Sequence, residues 1–282
     1  MKLIVNNSNM SNGSNYSKYI SLNSVEDGKK STFLIRFFSP SVELEKIKYT
    51  IIQDIDRLVE NGWGKFSKDF LLKHIIQSSR LVVVWHEGEI AAVCSASNKK
   101  FKAKAVLYLE FTVVKRKFRS FSLSTYLNGE IIAEFYLRSF YHRFGKSIYL
   151  VTLTRSPRVI GSLSNFCRKV YPSLKYYKNG RLIPAENETW FIIKAIVESS
   201  WKPDRVVDRE GAVLHGSYSA MPWLLEPKQE KHYRNDISKF CEQYLKISEK
   251  ADREFIVVAE YNLLSFLKYK LWNRRKIISL EK

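Results

Sequence analysis

The stretch VVKRKFRSFSLSTYLNGEII, residues 113–132, joins three different patterns. A run of β-branched residues ends at Val114, four cations follow up to Arg119, and serines at 120, 122 and 124 precede apolar residues at helical spacing. A strand, a cationic loop and a helix in this order bring free backbone N–H groups and the positive end of the helix dipole together, which favours an anion. The serines are also good helix caps, so these residues alone leave a phosphate site and a plain basic turn equally open.

The composition is that of a folded, strongly basic chain. Its 282 residues are 45% hydrophobic and include 47 Lys and Arg against 28 Asp and Glu, a formal net charge of +19. The length suits one large domain or two small ones. The charge favours polyanionic partners, among them nucleic acid, anionic lipid, a nucleotide cofactor and an acidic carrier protein.

Cys94, Cys167 and Cys241 are widely separated and have neither a second Cys nor a His at metal-ligand spacing. A disulfide framework and a metal site are therefore not expected. The apolar part of the N-terminus is too short for a secretory signal, and no apolar run approaches the roughly 20 residues that span a bilayer. We expect a soluble, cytoplasmic protein with no tightly bound cofactor.

The apolar pattern divides the chain into three parts. Residues 1–28 are rich in Asn and Ser and are predicted to form a poorly ordered leader. Residues 29–199 alternate strand and helix patterns and are predicted to form the main domain. Residues 200–282 are predicted to be loop, helix, strand and basic amphipathic helix, a C-terminal α/β extension that packs on the core or caps it. This order predicts an α/β or α+β fold with a mixed central sheet flanked by helices.

Periodicity and turn residues predict the elements of the main domain. They are a strand at 31–39, helices at 40–62 and 67–77, a hairpin at 80–97, a strand at 104–114, a helix at 123–140, a strand at 147–154, a helix from 156 to about 170, and a strand from 189. The helix at 156 opens on Ser156 and Pro157, a pair suited to the N-cap and the first helical position.

The order of these elements and the residues of the opening stretch resemble the GNAT superfamily of acyltransferases. In that family a strand ends in a Val and is followed by a loop of Arg or Gln, two residues, Gly, one residue, and Gly or Ala, with a Leu three residues on. The matching places here are Val114, Arg119, Ser122, Ser124 and Leu127. The spacing agrees, while serine replaces both small residues. The resemblance covers about residues 31–198 and implies an N-acyltransferase.

The resemblance also implies a co-substrate with a pantetheine arm, acyl-CoA or an acyl carrier protein, between the strand of Val114 and the strand of Tyr149. Its phosphates would bind loop amides after the matched Arg. The donor site is therefore assigned to Val114, Arg119, Ser120, Phe121, Ser122, Leu123 and Ser124. The cations at 115–117 would add electrostatic attraction. Long-chain N-acyl amino acid synthases and acyl-homoserine lactone synthases resemble this fold and use carrier-borne donors, which the net charge of +19 would suit.

Glu110 is the candidate general base for an amine acceptor. Alternation places Glu110, Thr112 and Val114 on one face of the predicted strand. A carboxylate within LYLEFTVV is costly unless it is partnered or has a function, and some GNAT enzymes carry a Glu at this place. An exposed face on an edge-like strand is the alternative explanation.

The remaining candidates lie near or after the predicted strand at 147–154, which matches the fifth strand of the GNAT fold. The usual acid of the family is a Tyr on the following helix, where this chain has Ser162 or Leu163, and Tyr171 comes too late. Arg155 is a candidate for binding an acceptor carboxylate or the donor, with a solvated Arg as the alternative.

Three further residues and the C-terminus are interpreted as structural. Cys167 has no His at a telling spacing, and His86 and His142 stand singly, so we expect packing or surface roles for them. The terminal LLSFLKYKLWNRRK is typical of a helix at a membrane surface, although packing against its own domain is the commoner outcome.

Two functions from different classes are compatible with these patterns. The first is an N-acyltransferase that moves an acyl group from acyl-CoA or an acyl carrier protein directly to an amine of a small molecule or peptide. The alternative is a nucleic-acid-binding protein, in which aromatics interleaved with cations, as in YYKNGR and FLKYKLWNRR, stack on bases and contact phosphates. The familiar nucleic-acid-binding signatures are missing from the sequence. A transferase fold kept as a non-catalytic binding module would combine the two.

Overall fold

A computed structural model describes residues 16–40, 49–64, 68–101, 104–143, 147–179, 181–200, 207–208, 211–216 and 234–278. The fold class is mixed α/β, with a large mixed sheet flanked by helices, as predicted. The chain divides into two compact units. The first consists of Met1–Asn98, Leu109–Glu134 and Tyr269–Lys282, and the second of Lys99–Tyr108 and Phe135–Lys268. Each unit therefore draws on segments that are far apart in the sequence.

Neighbouring strands dominate the first unit. They are β1 (Tyr16–Asn23), β2 (Lys30–Phe38), β3 (Arg80–His86), β4 (Glu89–Phe101) and β5 (Lys104–Val114), adjacent in that order. The end of β4 and the start of β5 belong to the second unit. The predicted hairpin is confirmed, because β3 and β4 pair antiparallel from His86↔Glu89 onward. Its two turn residues, Glu87 and Gly88, have φ values of 49° and 83°, the pair of positive φ angles that suits a two-residue hairpin.

The helices of this part of the chain begin with α1 (Tyr49–Trp63) and α2 (Lys68–Gln77). A 3-10 turn, Arg116–Phe121, separates β5 from α3 (Leu123–Arg143), so the predicted order of strand, cationic turn and helix is confirmed. The core of the unit forms where the apolar sides of α1, α2 and the strands meet, around fully buried Ile55, Ile75 and Leu81. The predicted first residues of the helix at 40–62 and the predicted Ser67 cap lie in 41–48 and 65–67, outside the described residues.

The prediction of a poorly ordered leader is wrong for Tyr16–Asn23. These residues pair with β2 in continuous register, from Tyr16↔Phe37 to Asn23↔Lys30. The Tyr16 ring stacks on Phe37 with centroids 4.2 Å apart. The pairing depends on a partner strand, which local composition does not reveal. Residues 1–15 of the predicted leader lie outside the described residues.

The second unit is built around a strand from near the C-terminus. Its strands are β6 (Ile148–Thr154), β7 (Lys169–Tyr171), β8 (Tyr177–Lys178), β9 (Arg181–Leu182), β10 (Val207–Asp208), β11 (Val213–His215) and β12 (Arg253–Tyr261). The order is β6, β12, β11, β10, with β7 also on β12, while β8 and β9 form a separate pair. β12 is antiparallel to β6 and almost wholly buried. The segment predicted as an extension therefore supplies an interior strand.

Among the described residues, three helices lie wholly within this unit: α4 (Pro157–Phe166), α5 (Asn187–Ser200) and α6 (Asn235–Leu245). The strand predicted from Thr189 is wrong, because this segment is α5. Its buried residues Ile192, Ile193 and Ile196 recur at helical spacing and enter the core of the unit. The helix predicted to run to about Val170 instead ends at Phe166, since Lys169–Tyr171 pairs with β12 as β7.

The last described helix, α7, covers Leu263–Ile278. It confirms the predicted helical C-terminus. Tyr269 and Asn273 are buried on one side of it, while several leucines on the other side are exposed. Among the described helices, none combines the length and apolarity needed to cross a bilayer.

Candidate functional site

One face of β5 carries the candidate residues. Glu110, Thr112 and Val114 are partly exposed, and the intervening Phe111 and Val113 are buried in the core of the first unit. This is the alternation expected of a strand with one side in the core. The predicted shared face of Glu110, Thr112 and Val114 is therefore present in the structure.

Glu110 is held by two side chains from other elements. Its Oε1 accepts a hydrogen bond from the hydroxyl of Ser97 on β4, and its Oε2 lies 2.9 Å from Nδ1 of His74 on α2. The Glu110 side chain is 5% exposed and that of His74 is 17% exposed. The expected partner for the buried carboxylate is thus supplied by two residues that sequence analysis missed. Their separations from Glu110, 13 and 36 residues, leave no local pattern to read.

The contact has a definite chemical consequence for the imidazole of His74. A carboxylate that accepts a hydrogen bond from Nδ1–H fixes the tautomer in which Nε2 carries the lone pair. The same carboxylate stabilises the imidazolium if Nε2 takes up a proton. Nucleophile-activating sites in many enzymes use a base oriented by a third group in this way. The Glu110–His74 pair can therefore accept a proton.

The cationic turn ends in a backbone conformation that glycine usually adopts. Ser122 has φ 56° and ψ 24°, in the left-handed region, which costs about 1 to 2 kcal/mol for a residue with a Cβ. The first backbone hydrogen bond of α3 runs from the Tyr126 N–H to the Ser122 carbonyl oxygen at 3.1 Å. The amides of 123–125 precede that bond, and first-turn amides have no intrahelical acceptor. Ser122, at the position of the first small residue in the resemblance, thus has a backbone conformation that favours glycine.

The charge of the turn is smaller than its sequence indicates. Lys115 Nζ lies 2.5 Å from a carboxylate oxygen of Glu89 at the start of β4, and Lys117 also pairs with Glu89. These two lysines, Lys115 first, hold the pKa of Glu89 below its ordinary value. Arg116 and Arg119 are exposed, and Arg119 Nε donates to the Val114 carbonyl oxygen at 3.4 Å. Glu89 therefore offsets one of the two positive charges of Lys115 and Lys117, and the exposed arginines add most of the positive charge that remains at the turn.

Aromatic side chains anchor the turn in the first unit. Phe118 and Phe121 are buried, and both rings meet Phe33 of β2 edge-on, with centroids 5.6 and 5.4 Å apart. The ring of His86 lies 5.0 Å from Phe118. The side chain of Phe121, assigned to the donor site, therefore serves as an anchor, and Leu123, which is fully buried, does the same. Of these two residues only backbone groups can reach a ligand.

The turn between β1 and β2 braces the cationic turn from outside. The Val25 N–H donates to the Ser120 carbonyl oxygen at 3.0 Å, and the Ser24 hydroxyl donates to the Ser120 hydroxyl at 3.1 Å. Ser120, also assigned to the donor site, is thus tied to the N-terminal hairpin. Ser124 is exposed in the first turn of α3 and Ser122 is half-buried, so these two hydroxyls are the accessible ones.

Asn128 is a further residue that the sequence did not reveal. Its Nδ2 donates to Thr112 Oγ1 at 3.0 Å and to the Ser124 carbonyl oxygen at 2.8 Å. Thr112 and Asn128 both contact the sulfur of Cys94, at 3.2 and 3.4 Å. This cluster ties the first turn of α3 to β5. The strand face that bears Glu110 and the start of the helix are consequently held in fixed register.

The other candidates lie in the second unit and have structural contacts. Arg155 Nη1 donates to the Ala251 carbonyl oxygen at 2.8 Å, which anchors a loop of that unit. Tyr171 is buried in β7, and Cys167 is buried as expected, with burial raising the pKa of its thiol to about 12. The side chain of His142 lies outside the described residues. Within the described part of the chain, no three potential metal ligands come together.

Comparisons with known proteins give a resemblance at the level of structure only. No family model matches the chain, and no curated protein matches its sequence. Among solved structures, it is similar to the ribosomal-protein-S18-alanine N-acetyltransferase of Escherichia coli, at 13% identity and TM-score 0.34, covering 50% of this chain and 86% of that one. A GNAT-family acetyltransferase of Streptococcus pneumoniae has 14% identity and TM-score 0.32, covering 49% and 87%. The NatC complex bound to Gag peptide and CoA has 12% identity and TM-score 0.33, covering 52% and 92%. The chain is thus structurally similar to GNAT-family N-acetyltransferases over about half of its length.

Proposed function

We propose that this protein is an N-acyltransferase that moves an acyl group from a pantetheine thioester to an amine. The observation that carries the proposal is that the strand bearing the Glu110–His74 pair leads directly into a cationic turn and the first turn of a helix. Glu110, paired with His74, lies four residues before Val114, and the turn that ends at Ser122 follows directly. Four residues of strand span about 13 Å, a distance that an extended pantetheine arm bridges.

The turn would bind the donor through its phosphate groups. Amides at the start of α3 and the left-handed Ser122 form a concave set of donors, and Arg119 and Arg116 supply positive charge. Acyl-CoA and acyl carrier protein share the phosphopantetheine group, so the same junction suits either. Since the junction is held by neutral contacts, those of Ser24, Val25 and Asn128, it is formed before the ligand arrives.

The proposed reaction is a direct transfer. The amine nitrogen attacks the thioester carbonyl carbon, the C–N bond forms, and the C–S bond breaks with departure of the pantetheine thiolate. The proton lost by the amine passes to His74 Nε2, while Glu110 orients the ring and stabilises the imidazolium. The imidazolium then returns a proton to the thiolate or to water. Glu110, expected to be the base itself, becomes in this scheme the group that supports the base.

The proposed reaction also bears on the cellular compartment and on the class of acceptor. An acyl thioester and three free, buried cysteines suit a reducing environment, so we propose that the protein works in the cytoplasm. The acceptor is an amine of a small molecule or a peptide.

Donor binding tests the first half of the proposal. Native mass spectrometry of the full chain with acetyl-CoA, a long-chain acyl-CoA and acyl carrier protein should detect a saturable complex with at least one of them. Arg119→Glu should weaken this complex roughly tenfold or more, the usual effect of losing a charge-assisted hydrogen bond. Arg181→Glu is the matched control, because Arg181 is an exposed arginine on β9 in the second unit. Equal losses in both variants, or no complex with any donor, would overturn the donor site.

Product formation tests the second half. Release of the free thiol in the presence of a panel of amines should depend on His74 and Glu110, and His74→Gln should lose more activity than Glu110→Gln. A loss of activity in Glu110→Gln that equals or exceeds the loss in His74→Gln would assign the base to Glu110 instead. Donor binding without transfer to any amine would leave a binding module and refute the enzyme.

The structure does not favour the nucleic-acid hypothesis. The aromatics offered as stacking platforms pack inward: Tyr269 is buried, the Tyr177 hydroxyl bonds Gln243 at 2.6 Å, and the Tyr176 ring meets Tyr171 edge-on at 5.3 Å. Stacking on bases needs exposed ring faces.

A further inference from the structure

The C-terminal helix α7 presents its apolar residues to solvent. On its buried side lie Ser265, Tyr269 and Asn273, which are 2%, 2% and 8% exposed. On the other side Leu263, Leu264, Leu267 and Leu271 are 50%, 59%, 47% and 57% exposed. A surface helix normally buries its apolar stripe and exposes its polar one. This helix buries Tyr269 but carries a second apolar stripe, the four leucines, which is left uncovered within the described part of the chain.

Three cations lie beside or among the exposed leucines on the surface of α7. At the helical turn of 100° per residue, the four leucines span about 100° of the helix surface. Lys268 follows at one edge of this stripe, Lys270 precedes its other edge, and Arg274 lies among the leucines along the axis. All three cations are exposed. Long basic side chains at the border of an apolar stripe can keep their stems on the apolar surface while their charges reach outward.

We propose that α7 docks on an anionic lipid surface. The leucine stripe would enter the boundary between headgroups and acyl chains, and Lys268 and Arg274 would meet lipid phosphates, while Lys270 keeps its contact with Glu130 at 3.6 Å. Charge complementarity selects this occupant, because the protein as a whole carries a net charge of +19. A second copy packed on the same stripe would bring the cations against like charges. The buried side of α7 is fixed to α3, because Tyr269 and Asn273 hydrogen-bond Glu130 at 2.9 and 3.3 Å. The opposite side, which carries the leucines, therefore faces outward.

The proposal is independent of the transferase hypothesis, since it involves none of the residues assigned to donor binding or proton transfer. Lipid binding would have two contributions, and each can be removed separately by substitution. The leucines supply apolar area and the flanking cations supply attraction to anionic headgroups, so loss of either should weaken binding.

Vesicle sedimentation of the full chain tests the proposal, with vesicles of phosphatidylcholine alone and of phosphatidylcholine with phosphatidylglycerol. Binding should require the anionic lipid. Leu264→Gln with Leu267→Gln should lower the partition coefficient roughly tenfold, and Lys268→Glu with Arg274→Glu should do at least as much. The matched controls are Ile76→Gln with Ile183→Gln, which change exposed aliphatic residues elsewhere, and Lys175→Glu with Lys239→Glu, which make the same charge change. The control variants should bind as the unchanged protein does.

Several outcomes would overturn the inference. Absence of binding to anionic vesicles, or binding that survives both pairs of α7 substitutions, would exclude a lipid-docking role for this helix. A dimer in light scattering that the leucine substitutions dissociate would identify a second copy as the occupant. Binding to an acidic carrier protein that depends on the same leucines, with no vesicle binding, would assign the stripe to a protein partner.

Discussion

Gly129 of α3 and Tyr269 of α7 make a contact whose energetic consequence can be worked out. A Cβ placed on Gly129 would lie 2.1 Å from Tyr269 Cε2 and 2.4 Å from Cζ, closer than non-bonded carbons approach. The ring has little freedom to retreat. Its hydroxyl lies 3.2 Å from the Tyr126 carbonyl oxygen and 2.9 Å from Glu130 Oε1, and the ring stacks on Trp272 with centroids 6.1 Å apart. Gly129→Ala must therefore displace an anchored aromatic side chain.

Two opposing effects decide the sign. In an unobstructed helix interior, Gly→Ala stabilises by about 1 kcal/mol. Overpacking of a filled site costs about 1 to 3 kcal/mol and occasionally more. Because the clash is with an anchored ring, the cost belongs at the upper end, and Gly129→Ala should lower the free energy of unfolding by about 2 kcal/mol.

In a protein that lacks the Tyr269 ring, Gly129→Ala is expected to raise the stability instead of lowering it. Tyr269→Ala should itself destabilise by about 3 to 5 kcal/mol, like other large aromatic truncations. Once the ring is gone, Gly129→Ala has room and should restore about 1 kcal/mol through helix propensity. The coupling between the two sites is then about 3 kcal/mol, at the upper end for residues in direct contact.

Urea unfolding of the four proteins, followed by circular dichroism and tryptophan fluorescence, measures this coupling. The cycle is its own control, because the same substitution is made with and without the ring. Gly129→Ala that is neutral or stabilising in the unchanged protein would refute the reasoning. So would an equal loss of stability in both backgrounds, since the cost would then arise within α3 and not from Tyr269.

Three further predictions concern charge, thiols and the backbone of the turn. Burial would raise the pKa of Glu130, but Lys18 and Lys270 hold it below its ordinary value of 4.5, so the stabilisation from this carboxylate is complete above pH 4.5 and is lost as the pH falls below that. Glu130→Gln should therefore be less stable than the unchanged protein at pH 7, with a gap in urea unfolding that narrows towards pH 3; a constant gap would contradict this. Burial raises the pKa of each of the three thiols to about 12, so Ellman's reagent at pH 8 should titrate none of them in the native protein and all three in urea, and a rapidly reacting native thiol would be inconsistent with the structure. Ser122→Gly should be at least as stable as serine in thermal melts, whereas Ser122→Val should lose about 1 to 2 kcal/mol, and the opposite order would argue against a left-handed residue at this position.

The parts of the fold that the sequence predicts are those specified by local pattern. The β3–β4 hairpin is marked by a short polar turn between two apolar runs, and β5 was predicted with the bounds that the structure has. The segment from Thr189, predicted as a strand, is the helix α5 because its apolar residues also fit one face of a helix. Ile192, Ile193 and Ile196 sit at the spacing of a helix face, and the core of the second unit accepts that face.

Non-local pairing explains the remaining differences in the fold. β1 has no clear periodicity and becomes a strand because β2 offers it a partner edge. β12 was predicted as a strand, but its place beside β6 depends on a contact between residues about 100 positions apart, such as Val258↔Val151. Local pattern can identify such a strand without placing it in a sheet.

In the candidate site too, local sequence pattern predicts some features, while contacts between distant residues determine the others. The spacing that leads from Val114 to Ser122, and the alternation that sets Glu110 on the strand face opposite to Phe111 and Val113, are local properties, and the sequence predicts both. The contacts that give Glu110 a chemical role come from His74 and Ser97 on other elements. Ser97 is buried in β4 and needs a hydrogen-bond partner, but Ser95 is buried in the same strand, and the sequence does not indicate which hydroxyl meets Glu110.

The residues that hold the cationic turn differ in kind from those that would bind a ligand there. Its supports are aromatic rings, hydroxyls and backbone groups, as in the contacts of Phe121 with Phe33 and of Ser120 with Ser24. Of the two arginines, Arg119 adds one long contact, the 3.4 Å hydrogen bond from its Nε to the Val114 carbonyl oxygen. A turn that depended on its arginines for its shape would lose that shape whenever a ligand competed for them. Because the shape rests mainly on these contacts and on the ion pairs of Lys115 and Lys117 with Glu89, the arginines can exchange solvent for phosphate with little disturbance of the backbone. The site is then ordered by folding, before any donor binds.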